Sequence, residues 1–283
     1  MAVQSIILSL DGRVAGPIRS AEGGYVRQLV VNGPVGGTRS RPTSVAEIER
    51  LTMEVGAMPS TAVLQWVAGA LDRSPGRRSL SIVSSTAGRS TIELDGYEAV
   101  IAEVTLPTLD RHAASDTYMK LTVQCERARR QQIASRGPVQ APPLTPLAGG
   151  AFRFSIDGVL PTGQETQRIE AITIKQGLKA SYSGADRYAE FEPTKLEFPN
   201  LVVTLPAGAA EPLASWQERV RAAGARTTAD ELKSGRLEYL SRGGAVAIAL
   251  DLAGLGILSL ASNGGRVTAE FYCNKMTVDL RGA

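Results

Sequence analysis

Histidine is nearly absent from this chain: His112 is the one imidazole in 283 residues. That removes most transition-metal ligand sets and most acid–base machinery tuned to neutral pH. Cysteine is almost as scarce. Cys125 and Cys273 stand 148 positions apart, which makes neither a disulfide framework nor a metal spacing. Each falls in a strand-like segment, so both are expected as buried free thiols at equivalent core positions, in a reducing compartment. Aromatic residues are 5% of the chain, so its cores must be built from Val, Ile, Leu and Ala. Long apolar runs are missing too. The most apolar window, Val246 to Ala261, is interrupted by Asp251, Gly254 and Gly256, is too short to span a bilayer and reads as a buried hairpin. The opening Met1-Ala2-Val3-Gln4 has no basic segment and no apolar core, so no signal peptide is expected and the chain should be made in the cytoplasm.

A net charge of +3 is too small to imply a nucleic-acid binder. Lysine is rare in the first half: of the 16 basic residues among positions 1–140, fifteen are Arg. Arginine suits bidentate pairing with carboxylates at interfaces, and GC-rich codon usage explains the bias equally well. The length and the ordinary apolar content (43%) allow two domains, each with its own core.

What the chain does have is repetition. Ile7-Leu8-Ser9-Leu10-Asp11-Gly12 is echoed by Phe154-Ser155-Ile156-Asp157-Gly158, and Trp66 by Trp216. Ile92-Glu93-Leu94-Asp95 returns as Ile248-Ala249-Leu250-Asp251, and Cys125 as Cys273. The offsets are 146, 150, 156 and 148, in constant order. Such drift fits a duplicated domain with different loop lengths. Residues 131–150 carry Pro138, Pro142, Pro143 and Pro146 with three glycines and no periodicity, which marks a semi-rigid connector. The expected organisation is a first β domain over 1–130, a linker over 131–150 and a second β domain over 151–283.

Within the first half the pattern predicts strands at Ile6–Leu10, Tyr25–Val31, Ser79–Val83, Thr91–Leu94, Ala99–Leu106 and Tyr118–Cys125. Ser44-Val45-Ala46-Glu47 resembles a capping box and suggests a short helix. Ser60 to Leu71 reads as a full helix, with Val63, Leu64, Val67 and Leu71 at helical spacing. The second half repeats this, with one helix over Pro212–Ala223 carrying Leu213, Trp216 and Val220 on one face. The predicted class is mainly β (α+β): two tandem antiparallel barrels or sandwiches, each with one flanking helix.

Candidate chemistry is thin. His112 lies in a predicted surface loop, Leu109 to Asp116, with no counterpart in the second half. An enzyme reading would fall on Asp11, Asp157 or His112, but Asp-Gly pairs at matching places are the residues of tight turns. Gly33 to Thr38 lacks the Gly-Lys-Ser/Thr ending of a phosphate loop. Arg77-Arg78 and Arg127 to Arg130 lack the interleaved aromatics that read single strands. Trp66 and Trp216 are expected as core anchors. The chain is therefore read as having no catalytic, cofactor or metal residues.

The order of these landmarks, with Lys195-Leu196-Glu197-Phe198-Pro199-Asn200-Leu201 and the closing pair Ala99–Asp110 and Tyr118–Glu126, resembles the tail-tube proteins of contractile phage tails and related injection systems. The resemblance implies a β-barrel subunit with one helix, assembled in stacked rings around a lumen, without enzymatic activity. It implies self-association into a ring, as a trimer of tandem domains or a hexamer. It also implies contact with neighbouring tube, sheath or baseplate proteins in a phage-tail-like particle, and neither a membrane nor sequence-specific nucleic acid as partner. A common tube protein has one such domain, and this chain has two, which points to a tube, tube-terminal or baseplate-hub role. The competing reading is a two-domain β binding module that holds a ligand or peptide between its repeats.

Overall fold

Leu51-Thr52-Met53-Glu54-Val55 alternates apolar and polar residues, and the protein buries Leu51, Met53 and Val55 while Thr52 and Glu54 stay half-exposed. That is the two-residue period of a strand with one face on a core. The computed structural model of the chain describes residues 4–31, 43–57, 60–74, 76–86, 89–133, 143–182, 188–223 and 231–279. The same alternation recurs through most of its strands. The Gly33–Thr38 loop and the prolines Pro138 and Pro142 lie outside the described residues.

The first half runs β1 (Gln4–Leu10), β2 (Arg13–Gly23), β3 (Val26–Val31), β4 (Thr43–Ile48), β5 (Leu51–Val55), α1 (Thr61–Leu71), β6 (Arg78–Thr86) and β7 (Arg89–Leu106). It ends with β8 (Leu109–Asp110), β9 (Asp116–Thr117), β10 (Met119–Gln124) and β11 (Arg127–Gln132). The second half runs β12 (Leu147–Ile156), β13 (Arg168–Ile169), β14 (Ile172–Ser181), β15 (Glu190–Glu197), β16 (Leu201–Pro206), α2 (Glu211–Ala223), β17 (Lys233–Ser241), β18 (Val246–Asn263) and β19 (Arg266–Val278). The connector between β11 and β12 is thus shorter at both ends than the expected 131–150, because Gln131 and Gln132 pair within β11 and β12 begins at Leu147.

Strands β1, β2, β5, β10, β7 and β6 pair in that order and return to β1, closing a six-stranded barrel. The second sheet runs β13-β16-β19-β18-β17-β12, built from the counterparts of the first. Among the described residues the protein is mainly β, with two α-helices. Each helix sits between the fifth and sixth strands of its repeat. Ser60 caps α1 by accepting from the Val63 amide at 3.4 Å, and Val63, Leu64, Trp66, Val67, Ala70 and Leu71 form its buried face. Both tryptophans are core anchors. The Trp66 indole N–H donates to the Gly76 carbonyl at 2.9 Å, and that of Trp216 to the Glu231 carbonyl at 3.0 Å, just ahead of matching strands.

The duplication extends to irregularities. The β10–β7 register slips at Ala102, between Thr122–Glu103 and Val123–Ile101. The β19–β18 register slips at Leu258, between Glu270–Ser259 and Phe271–Ile257. The same bulge thus stands at an offset of 156. The later fall to 148 at the cysteines arises in the β7–β10 connection. There the first half inserts β8 and β9, whereas the second makes a two-residue turn at Gly264-Gly265, both at positive φ.

Three sequence expectations are corrected. Ser44–Glu47 is not a helix start but part of β4, because pairing with β3 (Leu29 opposite Val45, Arg27 opposite Glu47) overrides the local cap. Val246–Ala261 is not a hairpin but one strand. Its Asp251 lies between Arg236 and Thr277 on the flanking strands, and Gly254, at φ +68°, bends the strand without breaking it. Cys273 is only half-buried and lies within β19, whereas Cys125 is buried and lies just past the end of β10, not in a strand. Thr91–Leu94 and Ala99–Leu106 likewise merge into β7.

Candidate assembly interface

The turn residues are placed first. Asp11-Gly12 makes the β1–β2 hairpin turn, with Asp11 at φ +50° and Leu10 opposite Arg13. The Asp11 amide donates to the Ser79 carbonyl, its carboxylate accepts from the Ser79 amide at 3.0 Å, and Arg78 pairs with it at 2.7 Å. The Asp157 amide donates to the Ser234 carbonyl in the corresponding place. His112 is exposed, and its backbone N–H donates to Asp110. None of the hydrogen bonds or ion pairs among the described residues joins Asp11, Asp157 and His112. No group of three or more His, Cys, Asp or Glu among the described residues is arranged to hold a metal ion. No helix among them is long and apolar enough to cross a membrane.

The chemistry concentrates instead where the halves meet, and they meet by exchanging strands. The hairpin β14–β15 of the second half leaves its own sheet and extends the first. Ile172, Thr173, Ile174 and Lys175 pair antiparallel with Leu106, Thr105, Val104 and Glu103 of β7. Ile174 and Val104, directly opposite, are 1% and 2% exposed. On the other face Thr105 and Thr173 share a hydroxyl–hydroxyl bond of 3.2 Å, and Lys175 lies opposite Glu103. In return, the first half's insertion extends the second sheet at both ends. β8 pairs with β13 and β9 with β12.

Side chains lock this exchange. The Arg111 guanidinium donates to the carbonyls of Thr166 (2.6 Å) and Gly163 (3.3 Å) and lies 4.5 Å from the centre of the Phe152 ring. Burial lowers its pKa, opposed by the charge of Glu165. Arg77 bonds Glu126 and the Phe191 carbonyl, and Glu126 accepts from the Phe191 amide at 3.2 Å. Tyr239, wholly buried, donates to the Pro107 carbonyl, and burial pushes its pKa up. Lys275 pairs with Asp72 at the end of α1. Beneath them Leu64, Val67, Leu106, Ile174, Ile248 and Leu250 meet around a void of only about 10 Å³. The buried residues of both halves form one continuous core.

Gly163 fits this joint closely. It sits at φ +55°, and a Cβ there would overlap the Phe154 carbonyl oxygen. Gly163→Ala is therefore expected to destabilise the fold by more than the ~1 kcal/mol of an ordinary glycine replacement; a urea midpoint unchanged from the parent would contradict this. The buried thiol offers a second check. Burial pushes Cys125 up to about 12 from the usual thiol value of 9.0. Its folded pKa is raised, so its contribution to stability is complete below pH 9 and is lost as the pH climbs towards 12. Cys125 should thus resist alkylation at pH 8 until the protein is unfolded, as mass spectrometry of the labelled chain would read.

The basic runs are absorbed into this framework. Arg130 bonds the Gly23 carbonyl and stacks on Tyr25 at 4.2 Å. On the second sheet Arg236 bonds Glu238 (2.9 Å), Asp251 (2.6 Å) and Asp279 (2.8 Å), which raises its pKa and holds it charged. An apolar recess of about 490 Å³ is lined by Ala15, Ile18, Val55, Val63 and Leu144. It opens on the first barrel and the connector, away from the joint between repeats.

These features define a class: a tandem mainly-β protein whose duplicated, helix-flanked sheets are fused by strand exchange. No family model matches the chain, and no curated protein matches it. Among solved structures it is similar to the tube-terminating cap of the anti-feeding prophage (15% identity, TM-score 0.38). It is also similar to the extended sheath–tube complex of the extracellular contractile injection system PVC (14% identity, TM-score 0.39). Each match covers 45% of this chain and 88% of the other.

Proposed function

We propose that the chain is a structural component of a phage-tail-like or contractile injection particle, acting as a tube, tube-terminal or baseplate-hub protein. In this reading it is not an enzyme, and its task is geometric: consecutive barrels close a ring around a lumen. The observation that carries the reading is the addition of the second half's hairpin β14–β15 to strand β7 of the first barrel, a sheet-extending contact made inside one chain. A subunit interface of a ring is a heterologous contact that repeats until it closes. A chain containing one such step already supplies two adjacent repeats, so a ring of six repeats takes three copies. Neighbouring tube, sheath or baseplate proteins would then stack on the ring faces.

The resemblance in sequence order supports the same reading. The apolar joint beneath α1 is packed around a void of only about 10 Å³, too small for a ligand or peptide. Negative-stain microscopy of the purified chain at rising concentration tests the proposal: rings are expected, and discrete monomers at every concentration would overturn it.

A further inference from the structure

The internal joint uses one hairpin and one strand edge, and the repeat supplies a second copy of each. Hairpin β3–β4 is the first-half counterpart of β14–β15. Arg27 opposite Glu47 corresponds to Lys175 opposite Glu197, and each hairpin runs into the strand that pairs with the closing strand of its barrel. Yet β3 pairs only with β4 among the described residues, as a separate two-stranded sheet. The edge that β14 occupies on β7 has its counterpart on β18. There the pairing with β17 ends at Leu255, and no described strand covers residues 258–263 on that side, although β19 covers the other.

The side chains at these two edges are those of an interface left open. Val26 corresponds to Ile174 but is 48% exposed rather than 1%. Leu260 corresponds to the buried Val104 and is only half-buried. Leu258, at the bulge where the first half has buried Ala102, is 47% exposed. An uncovered strand edge flanked by apolar side chains is a template for another strand. The chain's own β3 pairs with β4 and not with β18, so the occupant with the matching register is the same hairpin of another copy.

We infer that β3 of one copy adds antiparallel to residues Ser259–Ser262 of β18 in the next copy, with Val26 opposite Leu260, Tyr25 opposite Ala261 and Arg27 opposite Ser259. This rests on the ring reading above and specifies its contact. The register reproduces Ile174 opposite Val104. It also carries Arg27 across the small Ser259 towards Glu270, which lies opposite Ser259 on β19. The contact between copies repeats the contact within a copy, so all barrels of the assembly are joined in one way.

Paired cysteines test the register. Val26→Cys with Leu260→Cys, in a Cys273→Ser background, should oxidise to disulfide-linked multimers. Val26→Cys with Ala261→Cys, shifted by one residue and hence onto the other face of β18, should link far less. Equal linking by both pairs, or none by the first, would overturn the pairing. A second variant, Val26→Lys with Leu260→Lys, changes only exposed or half-exposed sites. It should keep its circular dichroism while raising the concentration needed for assembly at least ~10-fold; unchanged assembly would overturn the pairing. The two claims separate cleanly. Linked open chains without rings would support the pairing and sink ring closure. Rings in which the first pair fails to link would do the reverse.

Discussion

Ile174→Ala should destabilise the whole chain in a single step, by about 2–5 kcal/mol, the usual range for a buried Ile truncated where its surroundings cannot collapse. Ile174 belongs by sequence to the second half, but its side chain is buried against Val104, opposite it on β7, and beside Leu64 and Val67 of α1. If the halves were two domains on a strap, the loss would fall on one of two unfolding transitions. Because the core is continuous, one cooperative transition should shift as a unit. The measurement is urea unfolding followed by tryptophan fluorescence, which reports Trp66 in one half and Trp216 in the other, and by circular dichroism. Lys179→Ala, exposed further along the same strand, should move the midpoint by no more than ~0.5 kcal/mol. A variant that loses one half and keeps the other would refute the single core.

Trp216→Ala carries the second large effect, about 3–5 kcal/mol. Trp216 is 1% exposed, stacks on Phe271 with ring centres 5.9 Å apart, and satisfies the Glu231 carbonyl with its indole N–H. Truncation opens a cavity, strips the aromatic partner and leaves a carbonyl without its donor. Trp216→Phe should recover part of the loss by restoring volume and stacking, but not the hydrogen bond. Trp66→Ala should cost a similar amount, since Trp66 bonds Gly76 in the same manner. Thermal unfolding of the three variants checks this, and a Trp216→Phe protein no more stable than Trp216→Ala would show that the ring contributes nothing beyond its donor.

Much of the fold was legible in the order of residues. The duplication, both helices, the tryptophan anchors and the Asp-Gly turn at Asp11 follow from local signals: periodicity, a serine cap and turn chemistry. The exchange between halves was not legible. Nothing local distinguishes Ile172-Thr173-Ile174 as a strand that leaves its own sheet, because an alternating strand looks the same whichever edge it joins. The capping box at Ser44 misled because its pairing with β3 is non-local. The glycines inside Val246–Ala261 read as turns, though a strand bent at Gly254 accommodates them. The open edges were hidden for the same reason. They emerge only when Val26 is set beside Ile174 and Leu260 beside Val104, a comparison that needs the register of both repeats.

The proposed ring rests on the strand exchange between the two halves. The most direct test is native mass measurement combined with negative-stain class averages of the purified protein. The account predicts closed rings with six lobes around a central hole at the mass of three chains. A monomer at all concentrations, or a compact dimer without a hole, would contradict it.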